Sequence, residues 1–212
     1  VAVVDSFHAA LTWSLTPSAG DIKFVPQRDI EYKQEITDED RTILGKDVPD
    51  FTYGVNLSLQ YKGFEFSMFG QGISGTKVAF DVYGVHPFYH GQDSPRKYHL
   101  KRWTEENPNP HAAYPRIYSA SSVHTTYNRN FSDYHLFDSD YFRFKTLSLG
   151  YTVPSATVKN WGLQSLKVYV TGENLFTVRA DKKMEDFDPE TAGGVIYTLG
   201  TKSVAFGVNI SF

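Results

Sequence analysis

Between Phe51 and Tyr61 every odd position is apolar or aromatic, and every even position is Thr, Gly, Asn, Ser or Gln. Side chains alternate across a strand, so this pattern predicts a β-strand with one oily face and one small polar face. Lys62-Gly63 supplies a tight turn, and Phe64–Gly72 reads as the returning strand. A third strand is predicted over Tyr141–Val153. It has Leu147, Leu149, Tyr151 and Val153 on one side and Thr146, Ser148, Gly150 and Thr152 on the other; Pro154 ends it. A fourth covers Leu166–Phe176, with Leu166, Val168 and Val170 aligned. The last is Ser203–Phe212, where Val204, Phe206, Val208, Ile210 and Phe212 share a face opposite Ser203, Ala205, Gly207, Asn209 and Ser211. Phe7–Leu15 alternates more weakly and makes a sixth candidate.

The links between these strands are of two kinds. Those at 62–63 and 154–164 are short; those at 16–50, 73–140 and 177–202 are long and polar. Compact soluble domains rarely carry structureless loops beyond about 15 residues. Brief turns at one end and long loops at the other describe an outer-membrane β-barrel. Length agrees: an eleven-residue strand such as Phe51–Tyr61 reaches about 36 Å, which spans an apolar band of about 25 Å when tilted by about 40°. A soluble β-sandwich also alternates, but its strands are usually shorter and carry charge on the water-facing side. The expected fold is therefore all-β, an antiparallel transmembrane barrel segment of six strands with long extracellular loops. The lipid-facing positions would be Leu57, Leu59, Leu147, Leu149, Val168, Phe206, Val208 and Ile210. Six strands cannot close a membrane barrel, whose usual minimum is about eight, and an open edge in lipid leaves backbone groups unpaired. Residues 1–212 are thus expected to be part of a larger barrel.

Composition narrows the chemistry. Sixteen Phe and fourteen Tyr bias the chain toward strands. A formal net charge of −3 gives no electrostatic case for nucleic acid. Cysteine is absent, which removes disulfides, thiolate metal sites and Cys nucleophiles. No apolar run reaches the ~20 residues of a spanning helix. A chain opening on Val1, with methionine only at Met68 and Met184, is expected to be a processed product or a piece of something longer.

Gly70-x-Gly72-x-x-Gly75 has the spacing of a dinucleotide fingerprint. That fingerprint needs a buried parallel strand before it and a helix after it. Here an alternating hairpin strand precedes, and a β-branched, aromatic segment broken by Gly84 and Pro87 follows. Glycines that relieve crowding on a strand are the better assignment. The seven histidines, His8, His86, His90, His99, His111, His124 and His135, show no metal-binding spacing. No Gly-x-Ser-x-Gly elbow occurs. The carboxylate pairs Glu105/Glu106 and Asp186/Asp188 are expected to be solvated in loops. No catalytic residue, metal or cofactor is therefore expected, and the chain is not expected to be an enzyme.

Several stretches carry a family resemblance. They are Gly20–Phe24, Ile36–Gly45, Phe51–Phe69 with its turn, Phe69–Gly75, Arg102–Pro108, Phe142–Pro154, Val168–Phe176, Asp188-Pro-Glu190 and the terminal strand. In this order they resemble the C-terminal part of SusC/RagA-like TonB-dependent outer-membrane transporters. The resemblance implies a barrel of about 22 strands with a plugged lumen. It also implies a TonB partner acting through a plug that residues 1–212 do not contain, and a SusD-like surface lipoprotein. The implied location is the outer membrane of a Gram-negative bacterium, and the implied role is import of oligosaccharides or peptides. One departure is that Gln27–Ile36 lacks the oxygen-ligand spacing of the calcium-like loop found in many relatives. Asp38, Glu39 and Asp40 could still hold calcium, but solvated loop carboxylates are the simpler expectation.

Trp103, Tyr114, Tyr118 and Tyr127 in the long loop could stack on sugar rings, or they could pack the loop on itself, which is the more economical assignment. Phe212 resembles the terminal aromatic signal read during outer-membrane assembly, and it would equally serve as an interfacial girdle residue beside Tyr61, Phe64 and Tyr151. The alternative function is a soluble β-sandwich that binds carbohydrate.

Overall fold

The computed structural model describes residues 2–3, 11–12, 16–29, 35–79, 86–88, 94–182, 187–190 and 200–212. The chain divides into two units, residues 1–45, 78–137 and 192–196 forming one and residues 46–77, 138–191 and 197–212 the other.

The second unit is the predicted strand array. It holds β1 (Phe51–Tyr61), β2 (Phe64–Ser74), β3 (Tyr141–Thr152), β4 (Ser165–Arg179) and β5 (Ser203–Ser211). They form one five-stranded antiparallel sheet in the order β5-β4-β3-β2-β1, a meander of sequential neighbours. The β1–β2 hairpin turns on Lys62 and Gly63, at φ 47° and 87°. Positive φ at both central residues is the two-residue turn whose twist matches the flanking strands.

Two expectations need revision. The strands run further than the alternation suggests, to Ser74 in β2 and to Arg179 in β4. The 154–164 link is also not a plain turn, since it contains a five-residue helix, Ser155–Lys159, with Val158 fully buried. The sixth candidate strand, Phe7–Leu15, lies outside the described residues except for Leu11–Thr12, which pair in parallel with Glu35–Ile36. Five strands rather than six therefore make the sheet among the described residues.

A bulge decides which residues face which way in the upper half of the sheet. Opposite β2, Phe69 pairs with Thr146 but Gly70 pairs with Phe144, so Lys145 is an extra residue in β3. The register on β4 shifts at the same level, between Glu173 and Phe176, where Asn174 has φ 52°. Beyond the bulge the parity of β3 inverts. Phe142 and Phe144 join the apolar face, while Tyr141 and Arg143 join the polar one. Gly70 and Gly72 answer to this arrangement. A Cβ on Gly70 would sit 2.5 Å from the Phe142 ring, and the Tyr53 and Phe142 rings stack 6.0 Å apart from the two strands flanking Gly72. The three glycines of the fingerprint spacing thus lie on or just beyond an antiparallel strand, and two of them make room for aromatic rings.

Among the described residues the first unit is built from irregular segments, two-residue strand pairs, short 3₁₀ turns and one helix, α1 (Val123–Asn128), whose N-cap Ser122 accepts from the His124 amide.

Candidate functional site

The sheet offers two chemically distinct surfaces. Rows of paired residues run across one face, such as Leu59–Phe66–Leu149–Val170–Phe206 and Leu57–Met68–Leu147. On it Leu57, Leu59, Leu149, Val168, Phe206, Val208 and Ile210 range from 40% to 84% exposed, and Leu147 is half-buried. At one end of this face Tyr61, Phe64 and Phe212 are exposed, with Phe64 and Tyr151 in ring contact at 4.6 Å.

The opposite face is polar and internally bonded. Lys167 Nζ reaches Glu65 Oε2 at 2.6 Å, Thr152 donates to Glu65, and Ser148 and Thr171 share a hydrogen bond of 3.0 Å. A groove of about 320 Å³ opens here among Ser58, Gln60, Glu65, Ser67, Lys167 and Asn209. The Tyr169 ring lies where a Cβ on Gly207 would be, so the small residue on β5 admits the large one on β4.

At the far end of the polar face, past the bulge, sits Arg143, only 4% exposed. Its Nε donates to Thr177, its Nη2 donates to Asp188 Oδ1 at 2.6 Å, and its Nη1 reaches Glu190 Oε2 at 2.9 Å. Lys145 and the Tyr141 hydroxyl also donate to Glu190. Asp188 is therefore not the solvated loop carboxylate expected from sequence; Asp186 lies outside the described residues. Burial pushes the Asp188 carboxyl up, but hydrogen bonds from Arg143 and the Glu190 amide, with the nearby guanidinium charges, outweigh it and hold the group below its ordinary value. The sequence signal that could have found this site is the Phe142-Arg-Phe144 triplet, a cation between two apolar-face aromatics in a strand whose alternation has just changed parity.

In the first unit, stretches that are far apart in sequence meet. Gly20, at φ 93°, packs its backbone under the Trp103 ring, where an added Cβ would stand 2.5 Å from Cε3. Arg116 donates its amide to the Gly20 carbonyl and lays its guanidinium over both Trp103 and Tyr118 while pairing with Glu105. Asp21 has no exposed surface. It accepts from the Ser18 amide at 2.7 Å and from the Asn128 side chain at 2.9 Å, and it contacts His124 Nδ1 at 2.7 Å. Asn128 in turn accepts from the Ile22 amide.

The four aromatic candidates divide accordingly. Trp103, Tyr114 and Tyr127 are buried, at 6%, 8% and 2%, in the packing of their own unit. Tyr118 is half-buried, its ring stacked on His124 at 4.9 Å and covered by the Arg116 guanidinium at 5.2 Å. Desolvation first, then Asp21 nearby, raises the Tyr118 hydroxyl above its ordinary value, so it stays neutral. His86, His99 and His135 are buried among tyrosines, and among the described residues no acidic and imidazole side chains group as a metal site. His8 and His90 lie outside the described residues.

No family model matches the chain. Among curated proteins, TonB-dependent receptor P3 of Formosa agariphila is 30% identical over 149 residues, 70% of this chain and 14% of that protein. TonB-dependent receptor P26 of the same organism is 28% identical over 187 residues, 84% of this chain and 18% of that one. Among solved structures, the RagAB peptide importer in its open-open state matches with a TM-score of 0.60 at 24% identity, covering 90% of this chain and 20% of that one. Its closed-closed state matches with a TM-score of 0.53 at 25% identity, covering 78% and 17%. These similarities fit a fragment of a SusC/RagA-like TonB-dependent transporter. The chain spans less than a fifth of the length of the receptors it matches.

Within the first unit the Asp38–Asp40 turn also departs from expectation. Glu39 and Asp38 are exposed, but the Asp40 side chain is only 2% exposed. Arg28 pairs with it at 2.7 Å, and the Gln27, Arg28 and Thr37 amides donate to it. The guanidinium stands where an acidic loop would otherwise call for a cation. Hydrogen bonding from Arg28, reinforced by the Thr37 amide, holds the Asp40 carboxyl well below its ordinary value. A depressed carboxyl stabilises the turn fully above its unfolded pKa of about 4, and the contribution is lost as pH falls through the lower folded value. The Gln27 and Arg28 amide signals are therefore expected to shift and broaden only on acidification below the normal carboxylate range. In Asp40→Asn they should show the altered position already at neutral pH; unchanged signals in that variant would remove Asp40 as the organiser.

Proposed function

We propose that the chain forms barrel wall and outer loops of an outer-membrane nutrient importer that takes up oligosaccharide or peptide, driven by TonB through a plug that lies outside residues 1–212 and working with a SusD-like lipoprotein. The observation that carries this reading is the pairing of a continuous, exposed apolar face with an internally hydrogen-bonded polar face on the same long strands. In lipid such a face needs no further protein layer. In this reading Leu57, Leu59, Leu147, Leu149, Val168, Phe206, Val208 and Ile210 meet acyl chains. Tyr61, Phe64, Tyr151 and Phe212 sit at one headgroup level, where Phe212 doubles as the assembly signal. The polar face lines the lumen of a barrel of about 22 strands, and residues 1–212 are its C-terminal part. Of the loop aromatics, Tyr118 is the least buried and so the one placed to touch substrate, while Trp103, Tyr114 and Tyr127 hold the loop's shape. RagAB is named a peptide importer, which favours peptides as the first substrates to try.

The competing sandwich reading needs Val204, Val208 and Ile210 beneath a second sheet; they are 55%, 58% and 51% exposed. Membrane fractionation of the full-length protein separates the two. An importer should extract only with detergent and migrate as a heat-modifiable band, and cells should lose uptake of its substrate when residues 51–212 are deleted. Recovery of the intact protein in plain buffer as a monomer would sink the importer reading.

A further inference from the structure

The sheet's polar face ends in a carboxylate site already filled by the chain itself. Arg143 is buried, and its guanidinium is aimed by Thr177 on the neighbouring strand. Both carboxylates it holds come from one tight turn, Asp188-Pro-Glu190, within the segment joining β4 to β5. The turn closes on itself, since the Glu190 amide donates to Asp188 Oδ1 at 3.0 Å. The returning arm reaches the same point. Gly200 lies against the Asp188 carboxylate, which occupies the space a Cβ there would need, and that Cβ would stand 3.6 Å from Arg143 Nη1. Two arms of one loop thus converge on one arginine.

We propose that Arg143, with Lys145, Thr177 and Tyr141, is an intramolecular docking site for the Asp188-Pro-Glu190 turn, and that this clasp straps the β4–β5 loop onto the polar face of the sheet. The fork geometry suits the site to carboxylate: two guanidinium nitrogens meet Asp188 and one also meets Glu190, while an ammonium and a phenol complete Glu190. The bulge at Lys145 is what makes it possible. Without the extra residue Arg143 would point to the apolar face, away from its partners. The clasp rests on the importer reading only for its location: if the polar face lines the lumen, the strap lies beside the path of the solute.

The test is hydrogen–deuterium exchange on the full-length transporter in detergent, read by peptide. In Arg143→Gln the peptide containing residues 187–190 should exchange at least about tenfold faster than in the native protein, because two carboxylates lose a buried partner. Peptides from β2, β3 and β4 should keep their protection. Arg143→Lys, which keeps the charge but not the fork, should fall between the two, and Gly200→Ala should loosen the same peptide by displacing the Asp188 carboxylate. Unchanged exchange at 187–190 in Arg143→Gln would overturn the strap, as would loss of protection spread equally over the strands. The importer reading fails separately, on fractionation and uptake, so the two outcomes do not mask each other.

Discussion

Leu57→Arg is expected to destabilise the folded transporter in lipid by about 2–4 kcal/mol, while Ser58→Arg, one residue on, costs about 1 kcal/mol or less. The two positions are adjacent in β1 and differ only in the face they take. Leu57 sits mid-strand, opposite Met68, in the row that continues to Leu147. Its side chain is 40% exposed on the apolar face. A guanidinium there must either desolvate or drag water and headgroups toward the bilayer centre. Ser58 lines the polar groove beside Gln60 and Glu65, where an added cation meets an acid and water. Urea titration of the protein refolded into phosphatidylcholine vesicles reads the difference directly. Equal losses at 57 and 58 would mean that the alternation does not sort lipid from lumen, and the barrel assignment would go with it.

That contrast is also where sequence and structure agree best, for a physical reason. Alternation survives in the sequence because each strand meets one environment on each side along its length, and the register follows from short turns. The alternation hides what happens when the count changes. Read with a single parity, β3 places Phe142 and Phe144 on the wrong side, and the extra residue Lys145 leaves no composition signal of its own. Spacing therefore leaves Arg143 unmarked and makes Asp188 resemble a solvated acid, because both depend on a backbone irregularity. The strand ends at Ser74 and Arg179 escape the pattern for a related reason: past the bulge, beyond Gly72 and Phe176, only Ile73-Ser74 and Thr177-Val-Arg179 remain, too few residues to show a period. The loop motifs were visible as strings but not as partners. Nothing in Gly20-Asp-Ile-Lys-Phe24 says that its glycine will lie beneath Trp103, more than eighty positions on. The aromatic candidates show the same limit. A ring that stacks on sugar and a ring that packs a loop look alike in a string, and only burial separates Tyr118 from Trp103, Tyr114 and Tyr127.

Asp21→Ala is expected to unfold the 16–29 and 116–129 segments locally, at a cost of about 3 kcal/mol or more. The carboxylate is fully buried and serves three donors from two distant stretches of chain: the Ser18 amide, the Asn128 side chain and His124. Removing it strands those donors away from water, and each unsatisfied buried group costs about 1–3 kcal/mol. The damage should spread in a definite order. Asn128 loses its anchor and with it the bond to the Ile22 amide, so the Phe24–Tyr127 edge contact at 5.2 Å goes next. Tyr118, stacked on His124, should then lose its fixed ring position. The sheet belongs to the other unit and makes none of these bonds, so β1 to β5 should keep their protection from exchange. Asp21→Asn supplies the control, since it keeps the size and one acceptor oxygen and should recover part of the loss. If exchange in 16–29 and 116–129 stays at native rates in Asp21→Ala, this carboxylate does not hold the loop together, and Tyr118 has lost the support that would keep it presented to a ligand.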